Sequence, residues 1–201
     1  KSIYGTVYIE QSKVGPLSRK LPYFFHLQEK EAFLKACEVN KRDHAIFSIL
    51  FDSGMKIAEL VGDKRTGYRG LYVEDINLQS DPPELRVHGK GDKERMVVTS
   101  SRAVQEISSY LGDRRLGKIF DIAPRMVQKL ARKYAKEAGL PDWDKRGRWS
   151  PHKCRHTHLM EIFDKGGQDA LVVAQEQSDL SLAGLSPYAH TSTEYRRAVM
   201  K

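Results

Sequence analysis

The densest group of reactive side chains in the 201-residue sequence is Ser150-Pro151-His152-Lys153-Cys154-Arg155-His156. Proline at a helix start is favourable, because its missing N–H would have had no partner there. On a helix beginning at this point, His152 and Arg155 share one face, with His156 four residues on from His152. A His and an Arg facing the same way can hold a phosphate, Arg through its planar fork and His as donor or proton carrier. Two other readings stay open: a solvated basic helix start, and a zinc site from His152, His156 and His158. No carboxylate or cysteine completes the zinc set at a usual spacing.

Three other segments carry groups with chemistry. Gly89-Lys90-Gly91-Asp92-Lys93-Glu94-Arg95 reads as a hairpin tip that offers Lys90, Lys93 and Arg95 to an anion. It lacks the GxxxxGK[ST] spacing of a phosphate-cradling loop, and an ordinary charged turn has the same composition. In Gly54-Met55-Lys56-Ile57-Ala58-Glu59-Leu60-Val61, Lys56 precedes Glu59 by three residues. Taken alone, that is a surface ion pair worth about 0.2–0.5 kcal/mol. Near the end lies Tyr188-Ala189-His190. A tyrosine there reads as a half-buried aromatic unless cations stand close enough to stabilise a phosphorane-like transition state, which would make it a nucleophile.

These groups need a scaffold to bring them together, and hydrophobic periodicity outlines one. A helix is expected from Leu27, with Phe33, Leu34 and Cys37 on one face, and a second through Ala45, Ile46, Ile49 and Leu50 to Ser53-Gly54. Residues 62–70 form a charged, glycine-containing loop. Alternation predicts short strands at 71–78, 84–88 and 95–98. Helices follow at 102–111, 125–138 and 152–163, and then short helices and a tail over 171–201. Residues 1–20, without periodicity, read as a linker or arm that follows a missing N-terminal part. The expected fold class is therefore α+β, mainly α-helical, with a small three-stranded antiparallel sheet, in one domain over 21–201.

Composition narrows the partners. Lys and Arg number 34 against 26 Asp and Glu, a formal charge of +8 that suits a polyanion, since neutralised phosphates release counterions. No apolar run approaches the ~18 residues of a membrane span. Cys37 and Cys154 lie far apart without CxxC spacing, so a reducing intracellular setting is expected rather than a disulfide framework.

In order and separation, the four segments resemble the catalytic domain of tyrosine recombinases of the phage-integrase and Xer type. That family reads G-L-R-x-x-E-L, G-K-G-x-K-x-R, S-P-H-x-x-R-H, G-H-S-x-x-x-T and Y-x-H. Here those places fall to Gly54 through Leu60, Gly89 through Arg95, Ser150 through His156, Gln177-Ser178-Asp179-Leu180-Ser181, and Tyr188-Ala189-His190. The resemblance covers about residues 20–201. It implies the recombinase catalytic-domain fold and a site-specific strand exchange through a 3′-phosphotyrosyl link, without metal or other cofactor. It also implies a double-stranded DNA partner, further protomers on that DNA, docking by the tail 191–201, and a cytoplasmic location on nucleoid or host-cell DNA. It leaves open whether the element is a virus, a mobile transposon or a chromosome-dimer resolution system.

Carried over residue by residue, the resemblance makes Tyr188 the nucleophile, with Tyr195 the competitor, and Lys90 the general acid. Arg155 becomes a phosphate clamp, His152 a proton-handling partner, and Glu59 a buttress. Lys93, Arg95 and Lys153 are expected at the DNA. Two departures stand out. Lys56 replaces the family's first arginine and loses the bidentate fork. Gln177 replaces a histidine and cannot shuttle a proton. Loss of one transition-state donor costs on the order of 10²–10³ in rate, so reduced activity is expected. Two rival readings remain: a DNA-binding relative without the chemistry, and a type IB topoisomerase-like enzyme.

Overall fold

Apolar stripes and capping residues account for most of the elements. The computed structural model describes residues 23–91, 93–145, 148–165 and 167–189. The expected arm at 1–20, His190, Tyr195 and the tail 191–201 lie outside those residues.

Helix α1 (Leu27–Cys37) opens with the Glu29 carboxylate accepting from His26 N at 2.9 Å. Helix α2 (Lys41–Ser53) opens with Asn40 accepting from Asp43 N at 3.1 Å and closes on Gly54 at φ 60°. A short helix α3 spans Ile57–Val61. Strands β1 (Ile76–Asn77), β2 (Glu84–His88) and β3 (Glu94–Val98) form one antiparallel sheet in that order. Its register pairs Ile76 with Leu85 and Leu85 with Val97, and the inward residues Leu85, Val87 and Val97 join the core. Helices α4 (Ser101–Leu111) and α5 (Pro124–Glu137) complete the body. The chain ends in α6 (His152–Lys165), α7 (Ala170–Ser178) and α8 (Leu182–Ala189).

Two hydrophobic clusters result. The larger one stacks Phe33, Phe47, Phe51 and Tyr134 edge to face where α1, α2 and α5 meet, with the sheet and α4 closing it. The buried Asp43 accepts from Tyr134 Oη at 2.8 Å and holds that ring in place. The smaller cluster, Leu159, Met160, Phe163, Ala170, Ala174, Leu185 and Tyr188, packs α6, α7 and α8 together.

One expectation needs correction. The strand expected over 71–78 shrinks to Ile76–Asn77, because a 3-10 turn occupies Val73–Asp75. There the Asp75 carboxylate accepts from Tyr72 N at 2.9 Å, and this local bond competes with strand pairing. One of the short helices expected over 171–201 is α8, which contains both Gly184 and Pro187. Ser181 starts it, its Oγ accepting from Gly184 N at 3.3 Å and its carbonyl from Leu185 N at 3.0 Å. Burial of Leu185 and Tyr188 outweighs the bond that Pro187 cannot make.

Candidate active site

Glu59 is the centre of the scaffold. Its carboxylate is 1% exposed and accepts both arms of the Arg95 fork, at 3.0 and 2.9 Å. It also accepts from Lys56 N at 2.7 Å, and Lys56 Nζ lies 3.6 Å from Oε1. Burial by itself would raise the Glu59 pKa, but Arg95 and Lys56 together hold it below the ordinary carboxylate value. The pair at 56 and 59 is therefore part of a larger ion network around a buried carboxylate, with Lys56 at its exposed edge. Arg95, expected to face DNA, instead has its fork turned inward onto Glu59, and its Nε donates to the Gln177 carbonyl at 3.2 Å. The alternation that puts Val97 in the core forces Arg95, two residues away on the same face, inward as well.

Arg155 comes from the second turn of α6 and is 3% exposed. It donates to the Gly54 carbonyl at 2.8 Å and to the Ser178 carbonyl, the C-terminal ends of α2 and α7. Cations are favoured at helix C-termini, where carbonyls lack partners. Desolvation lowers the Arg155 pKa, an arginine remaining charged nonetheless. The approach depends on Gly54: a Cβ there would sit 2.4 Å from the His158 ring, on a backbone already at φ 60°. Arg95 and Arg155 thus both hold the last carbonyls of α7. Gln177 is thereby fixed beside the network, 8% exposed, with its Oε1 buried and without a hydrogen-bond partner among the described residues.

Tyr188 lies on α8, 4% exposed, stacked on Phe163 at 6.4 Å between ring centres. A hydrogen bond joins its hydroxyl to His156 Nδ1. Burial raises the Tyr188 pKa to about 12, with Arg155 opposing the rise. Burial also pushes His156 down to about 3, helped by His152, Lys153 and Arg155, so its ring is neutral near pH 7. His152 is exposed at the start of α6, its ring edge-on to His156 at 4.5 Å. Its pKa is lowered by partial burial and by Arg155.

Of the expected groups, Lys56, Glu59 and the Gln177 carbonyl are joined directly or through Arg95, Arg155 holds the adjacent Ser178 carbonyl, and Tyr188 meets His156, the residue after Arg155. Lys90 and Lys93 stay exposed at the β2–β3 tip, whose closure is the bond from Gly89 N to the Lys93 carbonyl at 2.6 Å. Lys153 is half-buried in the first turn of α6, its pKa lowered by desolvation and by Arg148. Sequence reasoning missed His156 as the group that touches Tyr188. The signal was its place one turn beyond His152, although no local rule told which of the two would meet a residue on another helix. Among the described residues no group of three or more His, Cys, Asp or Glu is placed to hold a metal ion, and His156 is engaged by Tyr188.

A mainly helical body with a three-stranded sheet, and a buried arginine flanked by histidines below a C-terminal tyrosine, is the arrangement of a recombinase catalytic domain. XerA recombinase superposes on this chain with a TM-score of 0.69, at 23% identity, over 92% of this chain and 65% of that one. Residues 24–193 match the phage integrase family, and the chain belongs to it. It is 32% identical over 196 residues to the tyrosine recombinase XerD of Proteus mirabilis, covering 89% of this chain and 58% of that protein. To XerC of Pelobacter propionicus it is 30% identical over 187 residues, covering 88% and 58%. The chain therefore spans less than two thirds of the length of these relatives.

Proposed function

We propose that the protein is a site-specific DNA recombinase that breaks and rejoins strands through Tyr188. The observation that carries this reading is the contact of Tyr188 with His156, next to Arg155 on α6, while Arg155 and the Glu59–Arg95–Lys56 network both hold the last carbonyls of α7. Family membership and the names of its relatives support it.

In this reading a backbone phosphate lies against Arg155, Lys56 and Gln177. With Nδ1 unprotonated, neutral His156 accepts the phenolic proton as Tyr188 Oη attacks phosphorus. The bond from phosphorus to the 5′-oxygen breaks, and Lys90 gives that oxygen a proton. A 3′-phosphotyrosyl link and a free 5′-hydroxyl result. A 5′-hydroxyl from a partner duplex then attacks the link, Tyr188 leaves, and the protons return by the same routes. Fixed cations aimed at the phosphorane are the main source of rate, because they need no reorganisation during the reaction. His152 orders His156 through their edge contact, and Glu59 acts as a positioning residue for Arg95 and Lys56. Lys93 and Lys153 serve the DNA backbone. Further protomers on the same DNA, docked through the tail, complete the assembly.

Incubation of the protein with a nicked suicide duplex tests the reading. A denaturant-resistant protein–DNA adduct is expected, lost in Tyr188→Phe and retained in Tyr195→Phe; the reverse pattern would move the nucleophile to Tyr195. Lys56 and Gln177 favour one second reading, a DNA-binding relative with the chemistry lost. It predicts duplex binding without adduct, unrescued by Lys56→Arg.

A further inference from the structure

The base of the β2–β3 tip carries a chain of polar groups that takes no part in the site described above. His88 and Glu94, the last residue of β2 and the first of β3, face each other across the ladder. His88 Nδ1 lies 2.8 Å from Glu94 Oε1. Its other ring nitrogen, Nε2, lies 2.7 Å from Arg69 Nη2 and 3.1 Å from Asp75 Oδ1. The same Arg69 nitrogen donates to both oxygens of Asp75, at 2.5 and 2.6 Å. Asp75 is buried and held in turn by the Tyr72 amide, and the Arg69 guanidinium lies over the Tyr72 ring at 4.7 Å.

The donors fix the proton on His88. A guanidinium only donates, so the ring nitrogen nearest to it, Nε2, is an acceptor. The neutral ring then carries its proton on Nδ1 and donates it to Glu94. Arg69 Nη2 has two hydrogens, one for the Asp75 carboxylate and one for the His88 ring. Every link involves a charged group, which makes such bonds roughly twice as strong as neutral ones. On the opposite face of the hairpin, one residue further from the tip, Val87 lies in the core and its partner Arg95 is locked on Glu59. Both faces of the hairpin base are therefore held, each by its own network.

The base decides what the tip can reach. Lys90 stands two residues beyond His88, between Gly89 and Gly91, and Gly91 takes φ 68°. Glycines leave that backbone free to move, and a lysine stem adds rotamers. A proton donor must come within about 2.6–3.2 Å of the oxygen that it serves. An ordinary cross-strand pair would fix β2 only to β3. His88, through Arg69, fixes both strands to the buried Asp75.

We propose that His88 is a positioning residue for strand cleavage: by coupling Arg69 to Glu94 it sets the base of the β2–β3 tip, and with it the reach of Lys90 to the 5′-oxygen. The proposal rests on the reading of Lys90 as the general acid.

The test compares single-turnover cleavage of two suicide duplexes, one with the ordinary 5′-oxygen at the scissile phosphate and one with sulfur in its place. A thiol has a pKa of about 8.5, so the thiolate leaves without a proton and only the oxygen duplex needs the acid. Lys90→Ala should slow the oxygen duplex by about 10²–10⁴-fold, the range of a general acid, and the sulfur duplex little. His88→Ala should slow the oxygen duplex by up to about 10²-fold, the cost of a misplaced group, and cleave the sulfur duplex at the wild-type rate. Arg69→Ala should behave alike, and the double variant no worse than the slower single, because both cut one chain. His88→Gln, which offers an amide oxygen to Arg69 and an amide N–H to Glu94, should recover most of the rate.

Unchanged cleavage of the oxygen duplex by His88→Ala overturns the role of His88, and so does a loss equal on both duplexes. Losses that multiply in the double variant would mean that Arg69 and His88 act separately, and overturn the chain. A Lys90→Ala loss that sulfur does not restore removes Lys90 as the acid and takes this proposal with it. A wild type that cleaves neither duplex overturns strand transfer itself, and the positioning role falls with the reaction.

Discussion

The ion network around Glu59 and the residue proposed to attack the phosphate belong to differently built regions. Glu59, Arg95 and Lys56 are set in the body of α1 to α5 and the sheet, whose core interlocks large aromatic rings around Phe33 and Tyr134. Tyr188 belongs to the small cluster of α6, α7 and α8, where Leu171, Val172, Val173 and Leu182 remain exposed. The two regions are joined by α6 and by two arginines donating to the last carbonyls of α7. Under the proposed reaction, the tyrosine must reach a phosphate from a 4%-exposed resting place.

The sharpest way to break this contrast is Glu59→Ala. Removing the acid leaves the Arg95 guanidinium, with a side chain 14% exposed, unpaired beside a buried void. Such losses cost about 3–5 kcal/mol, to be read from urea denaturation. A cost near that of a surface pair would show that the cradle is not held by this network.

Leu185→Ala should cost about 2–3 kcal/mol, but locally, as a cavity in the smaller cluster. Native-state hydrogen exchange should show faster opening of α7 and α8 amides with those of α2 and α5 unchanged. An equal change in α2 would mean that the two regions unfold as one.

Acid should weaken the α6 joint. Burial depresses the folded-state pKa of His156 to about 3 and of His158 to about 4. Below the unfolded value near 6.5, the unfolded chain binds protons that the folded chain refuses, so stability falls as pH drops from about 6.5 towards 4. Glu59, depressed instead of raised, withdraws its own contribution only as pH falls below its unfolded value of 4.5. Unfolding free energies at pH 7 and pH 5 should therefore differ by on the order of 2 kcal/mol for each of the two histidines, before Glu59 contributes. Equal values would mean that these histidines titrate normally.

The smallest expected change is a gain. Lys56 Nζ lies 3.6 Å from Glu59 and 3.9 Å from Asp179, so a cation already occupies this place without a fork to offer a phosphate. Lys56→Arg should raise single-turnover cleavage about tenfold, less than the ~10²–10³ that a whole donor is worth, because the charge is already present. No gain at all would point to the DNA-binding reading.

Elements with strong periodicity or clear turn chemistry were legible from the residues: α2 through Ala45, Ile46, Ile49 and Leu50, α5 through Val127, Ala131 and Tyr134, and the β2–β3 hairpin through its glycines. Residues 71–75 alternate like a strand, yet the Asp75 side chain turns them into a 3-10 bend. Gly184 and Pro187 read as breakers, yet Ser181 capping and burial of Leu185 make a helix of them. In both places a short-range hydrogen bond or a distant packing partner outweighed local propensity, and neither is visible in a single window of sequence.

The same division runs through the site. Residue order alone established the inventory: an Arg between two histidines at a helix start, a lysine on a hairpin tip, a Lys–Glu pair and a late tyrosine, at separations that match one family. Those facts concern neighbours within a turn or a hairpin, where spacing dictates geometry. Only the tertiary structure decided that the Arg95 fork donates to Glu59 and that His156 rather than His152 meets Tyr188. These pairings join residues 36 and 32 positions apart. Contacts at that range are set by which faces the core buries, a property of the packed whole.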